Sequence, residues 1–250
     1  MVSLRSYWAD SRSPRYSLLF ALPLLVTYEL LAAMLAPATG SVRNGADVLL
    51  RSAFALVAGR WAPVVFGAVL VGGALWLVVR DLRGRGGLRA ALRPRVFAAM
   101  LAESTVLALL FGAAVATVTS ALLHPTLAIV QGRPASPLAG FSWPERLMLS
   151  VGAGLYEELL FRVVLVSGLM LLARHAAGLS RRAAGAVAVV GGAFLFSAAH
   201  YVGAYGDPFT LDSFTFRFVA GLFFSALYVL RGFGITAWTH ALYDAFLLVL

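Results

Sequence analysis

The chain has 250 residues, 61% of them hydrophobic and 12% charged, with a mean hydropathy of +0.87 and a net charge of +9. Soluble domains are about one quarter charged, so most of this chain must face lipid or other apolar helices, which excludes an ordinary soluble enzyme. The absence of cysteine excludes disulfides and a thiol nucleophile.

All twenty basic residues are arginine, a bias that reads as the trace of a GC-rich, bacterial genome. They cluster between apolar runs, where membrane topology explains them better than nucleic-acid binding does. A crossing takes about 20 largely apolar residues. By that rule the spans are Tyr16–Leu35, Ala62–Val79, Ala98–Leu122, Leu147–Leu172, Ala184–Val202, Phe214–Leu230 and Phe233–Leu250. Ala46–Ala58 is apolar but short and carries Asp47 and Arg51, so it reads as an interfacial helix or an eighth, poorly formed span. Gln131–Pro144, with three prolines, reads as a loop, and Pro144-Glu145 suits a helix start. The expected fold is all-α, one integral-membrane bundle of about seven or eight transmembrane helices. Residues 1–144 form its N-terminal part and 145–250 the part that carries the chemistry.

Arginine placement sets the expected orientation. Arg5, Arg12 and Arg15 precede the first span, and six arginines from Arg80 to Arg95 separate the second from the third. Arg174, Arg181 and Arg182 follow the fourth, and Arg231 follows the sixth. Seven spans put all four groups on one side, which the positive-inside rule makes cytosolic. The N terminus is then cytosolic and the membrane a bacterial inner membrane. Arg43, Arg51 and Arg60 are the exceptions. The Arg80–Arg95 loop reads as a topology determinant, with anionic-lipid contact as a second possibility.

Against this background the intramembrane charges stand out. From Leu147 to Leu172 the only charged residues are Glu157, Glu158 and Arg162, and each charge at the bilayer centre costs roughly 2.5–3.5 kcal/mol on insertion scales. Glu158 and Arg162 are four apart and share a helix face. Glu157 is turned about 100° away, without that partner, and burial there suits a general base. His200 ends the next span, with Phe196 one turn back. His240 and Asp244 share a face of the last helix, where a carboxylate can orient the imidazole. His124 and His175 sit at a span end and in a basic loop and look ordinary. Glu29 and Glu103 read as structural, and Gly191, Gly192 and Gly221 as points of close helix approach.

Three patterns in order, Glu157-Glu158-Leu-Leu-Phe-Arg162, Phe196-Ser-Ala-Ala-His200 and His240-Ala-Leu-Tyr-Asp244, resemble the CPBP family of CAAX proteases and bacteriocin-processing enzymes. The resemblance covers roughly residues 145–250. It implies an intramembrane protease in which Glu157 and His200 activate a water. His240 and Asp244 would stabilise the oxyanion, with Glu158 and Arg162 supporting the base and Phe196 packing against the site. Many relatives carry asparagine at the position of Asp244. An ionised aspartate only accepts hydrogen bonds, so Asp244 is expected to orient His240 while the ring donates.

The resemblance implies no cofactor. Zinc on Glu157, His200 and His240 is the less favoured alternative, since each histidine stands on its own helix and no H-E-x-x-H pattern occurs. The expected partners are the bilayer and a membrane-associated peptide or protein substrate. Eukaryotic relatives trim prenylated tails, but no lipid-tail groove is legible here. Two other classes compete. A proton-coupled transporter would spread its carboxylates through repeated halves, and here they cluster in the second half. A non-catalytic scaffold or immunity protein would have lost a motif residue, and none is missing. One discrepancy concerns depth. At 1.5 Å per residue, Glu157 and His200 lie about 22–24 Å from the cytosolic helix ends, and His240 only about 10 Å.

Overall fold

Backbone amides in a hydrocarbon environment must find partners within their own chain, which leaves helices or closed barrels as solutions. The computed structural model, which describes residues 4–39, 42–84, 92–123, 140–203 and 206–248, takes the helical one, and no strand occurs among those residues. His124, Arg85, Arg89 and segment 131–139 fall outside them.

Helices α2 (Pro14–Thr39), α4 (Ala62–Gly84), α5 (Pro94–Leu123), α8 (Arg181–Ala199), α9 (Leu211–Arg231) and α10 (Phe233–Leu248) match six of the expected spans within a turn or so. The seventh is a continuous helical rod over residues 143–175, made of α6 (Trp143–Gly152), two π-helical stretches (Ala153–Glu157 and Leu159–Val166) and α7 (Ser167–His175). Five stretches are long and apolar enough to cross a membrane: Pro14–Ala36, Gly45–Gly84, Pro94–Leu123, Arg181–Ala199 and Leu211–Arg231. The protein is an all-α membrane helix bundle. The 143–175 rod is kept off that set by the charges of its motif, and α10 by its 16-residue length.

The ambiguous segment becomes α3 (Gly45–Ala58), a 14-residue helix of about 21 Å. It does not continue into α4. Phe54 and Phe66 would be about 18 Å apart along one straight helix, yet their rings lie 5.3 Å apart. The chain therefore doubles back at Gly59–Trp61, where Gly59 adopts a φ of +52° that favours glycine. A further short helix, α1 (Leu4–Ser11), had no counterpart among the expected elements.

Several arginines assigned to topology turn out to be fasteners. Arg231 is 3% exposed and grips Glu103 through Nε and Nη2 at 2.6 and 2.7 Å, a two-pronged geometry that strengthens the pair. Tyr7 of α1 donates to the same carboxylate at 2.5 Å, and Trp8 lies under the guanidinium at 4.0 Å. Arg43 and Arg51, which spoiled the arginine count, are bound to Asp47 at 2.7 and 2.6 Å and to Glu29 at 3.2 and 2.7 Å. Their charge is cancelled locally, so they say nothing about sidedness. At the start of α6, the Ser142 hydroxyl and backbone N–H both donate to Glu145 at 2.6 Å. Those bonds hold its carboxyl below the usual carboxylate range.

Close helix approach is set by glycines, though only in part by those expected. A Cβ on Gly221 would lie 3.0 Å from Ala193 Cα, and one on Gly192 2.5 Å from Val166, while Gly191 makes an ordinary contact. The tightest approaches to backbone are Gly154 against α10, where a Cβ would meet the Ala237 carbonyl at 2.4 Å, and Gly234 against the Ser17 carbonyl at 2.5 Å. Gly154→Ala is therefore expected to destabilise the protein by about 1–3 kcal/mol through overpacking. Gly168→Ala, whose Cβ meets nothing within 4 Å, should leave stability unchanged or raise it slightly. Thermal unfolding of the two variants in detergent separates these outcomes.

Candidate active site

The motif Glu157–Arg162 occupies the π-helical part of the rod, a backbone form that is rare and found mostly at functional sites. It lies where Gly152 and Gly154 let α2 and α10 press directly on the rod.

Glu158 and Arg162 are both fully buried, and Arg162 Nε faces Glu158 Oε2 at 3.2 Å. The guanidinium then lies against two aromatic faces, Phe196 of α8 at 4.4 Å and Phe224 of α9 at 5.4 Å. Phe196 thus has a specific task beyond filling space. Its ring receives the arginine's charge as a cation–π partner, and it also packs edge-on against His200, 4.9 Å between centroids.

The other oxygen of Glu158 meets His240 Nδ1 at 2.7 Å. This differs from the expectation that Asp244 orients the ring. The carboxylate at hydrogen-bond distance comes from a residue 82 positions away in the chain, while Asp244 Oδ2 stands 3.6 Å from Nε2, beyond a proper hydrogen bond. An i,i+4 neighbour on one helix reaches alongside the ring, whereas Glu158 approaches its edge from the facing helix. Phe224 stacks on the His240 ring at 4.3 Å and 20°, and on Phe111 at 4.1 Å. Phe224 was missed in the sequence because one phenylalanine in an apolar span carries no distinguishing signal.

His200 caps α8, and its Nδ1 lies 2.8 Å from the Phe196 carbonyl. A carbonyl only accepts, so Nδ1 carries the hydrogen and a neutral ring offers its lone pair at Nε2. Glu157 lies within electrostatic reach of both His200 and His240. It also has a partner that the sequence did not suggest: Asn44 Nδ2 donates to its Oε1 at 3.0 Å. Asn44 sits at the N-cap of α3. A single asparagine 113 residues upstream in a polar turn offers no sequence signal of that contact.

The start of α10 is packed against α2 and α1: Gly234 lies on Ser17, and Trp238 Nε1 donates to the Phe20 carbonyl at 2.5 Å. Arg231 just before it is buried under α1.

Residues 139–246 match the family model described as type II CAAX prenyl endopeptidase Rce1-like. The chain is CPBP-like across that stretch. The match bears out the resemblance carried by the three motifs. No curated protein and no solved structure matches the chain. The CAAX-protease match leaves α1 to α5 outside it, including Asn44.

Among the described residues no three histidine or acidic side chains are grouped as ligands for a metal ion. A cavity of about 1350 Å³ lies elsewhere as an apolar groove between α2, α4, the rod and α8. Leu22, Phe66, Tyr156, Leu159 and Val189 line it, but not Glu157, His200 or His240.

Removing Arg162 strands a fully buried carboxylate. Arg162→Ala is expected to destabilise the protein by about 3–5 kcal/mol. Arg162→Lys recovers only part of that, because a lysine cannot lay a planar cation between two rings. Unfolding midpoints of both variants in detergent give the comparison.

Proposed function

We propose that the protein is an intramembrane endopeptidase that hydrolyses a peptide bond of a membrane-associated peptide or protein with a water activated by Glu157 and His200. The observation that carries this reading is convergence of three motifs from three helices: Glu158 meets His240 at 2.7 Å, and Arg162 lies on Phe196, which packs against His200. The family match to a prenyl endopeptidase supports the same reaction class.

Glu157 takes a proton from the water, with His200 Nε2 as the second acceptor, and the oxygen bonds to the peptide carbonyl carbon. The carbonyl oxygen becomes an oxyanion. His240, as an imidazolium held at Nδ1–H by Glu158, donates to it from Nε2–H, and Asp244 beside that nitrogen balances the charge of the imidazolium. Collapse of the intermediate breaks the C–N bond, and Glu157 returns its proton to the leaving amine. No metal enters these steps.

A lipid-modified C-terminal peptide is the first substrate class to test, because the family description names prenyl substrates and the 1350 Å³ groove supplies an apolar surface for the lipid chain. Arginine placement supports an integral protein of a bacterial inner membrane with a cytosolic N terminus.

The purified protein in detergent, offered quenched fluorescent prenylated and unmodified hydrophobic peptides, is expected to cleave them in the presence of a strong chelator. Glu157→Gln and His200→Ala should each lose about 10²–10⁴-fold in rate with unfolding midpoints near the parent's. Activity that survives both substitutions, or that a chelator abolishes and zinc restores, would overturn the mechanism.

A further inference from the structure

The donor on Glu157 comes from outside the stretch that carries the family match, and its geometry is constrained. Asn44 Oδ1 accepts from the Ala46 N–H at 2.9 Å, the N-cap bond of α3. That bond fixes which edge of the amide is oxygen, so the edge turned to Glu157 is the NH₂ group, donating to Oε1 at 3.0 Å. The Asn44 backbone N–H donates to the Tyr28 hydroxyl at 3.0 Å, and that hydroxyl donates to Asp47 Oδ2 at 3.0 Å.

Asp47 is fully buried and held by Arg43 and Arg51. Both arginines also bind Glu29, which accepts from the Tyr156 hydroxyl at 2.8 Å. Tyr156 precedes Glu157 in the chain, so the network grips the motif helix at two adjacent residues. No slack remains at the contact, since a Cβ on Gly152 would lie 2.9 Å from Asn44 Cβ and 2.5 Å from the Tyr28 ring.

We propose that Asn44 is a positioning residue for the hydrolytic reaction: its amide holds one oxygen of Glu157 and thereby presents the other to the attacking water. The proposal rests on the protease reading above. It means that the N-terminal helices are part of the catalytic apparatus, because a 139–246 unit would lack the group that fixes its base.

The test uses the full-length protein in detergent and the peptide substrates above. Serine and aspartate both serve well as N-caps, so Asn44→Ser and Asn44→Asp keep α3 started while removing the amide N–H that reaches Glu157. Expected is a fall of about 10- to 100-fold in kcat for Asn44→Ser, the range for a hydrogen bond to a charged group. KM and the unfolding midpoint should stay near the parent's. Asn44→Asp should fall at least as far, because it sets an acceptor against Glu157. In a Glu157→Gln background, Asn44→Ser should add little.

A parental kcat in both variants would overturn the proposal, as would a loss that appears in KM or follows the unfolding midpoint. An inactive parent would remove the protease reading and the role together, whereas an active parent with unaffected Asn44 variants removes this inference alone.

Discussion

Glu158 and Arg162 are buried to the last atom, and a buried ion pair persists only where further partners offset the desolvation of both charges. Those partners come from three other helices. Arg162 spends its charge on Phe196 of α8 and Phe224 of α9, while Glu158 spends its second oxygen on His240 of α10. One i,i+4 pair on the rod therefore sets how far each of the three helices can stand from it. His200 lies one turn beyond Phe196, so the aromatic ring that receives the arginine also sets the position of the second histidine. The pair thus ties the three motif helices together.

The N-terminal half holds a second ionic cluster, and its logic differs. Asp47, Arg43, Arg51 and Glu29 are balanced two against two, and each arginine binds both carboxylates. This lets a 14-residue helix too short to cross a bilayer enter the bundle with its N-cap against the motif rod. Tyr28 and Tyr156 extend the cluster inward with rings 5.0 Å apart. A third fastener, Arg231 on Glu103 under Tyr7 and Trp8, closes the end where α10 begins. All three clusters set each charge against an opposite one.

What the sequence made legible follows from this. Apolar runs near 20 residues gave the long helices, because length and hydropathy act locally. The motif residues were legible because charges in an apolar run need a reason, and three patterns in order supplied one. Partners across the fold were not legible. That His240 is bonded by Glu158 and not by Asp244 depends on the angle at which two helices cross. The role of Phe224 depends on which of two adjacent phenylalanines in α9 faces inward. Arg231, Arg43 and Arg51 misled the count because an arginine in a loop and one folded beneath a short helix look alike in one dimension. The chain reversal at Gly59 was hidden for a related reason. Phe54 and Phe66 would lie on one apolar stretch whether or not the helix turns back, and only their contact distinguishes the cases.

The position of His240 is fixed from the start of its helix. Gly232, with a φ of +80°, lets the chain turn straight from α9 into α10. Gly234 then seats against the backbone of α2. A side chain at Gly232 would strain a backbone of positive φ, and one at Gly234 would collide with the Ser17 backbone. The level at which the histidine meets Glu158 is thus set at the far end of its helix, by two residues without side chains and a buried arginine. Local sequence around His240 names the chemistry, and the turn one helix end away decides whether that chemistry reaches Glu157.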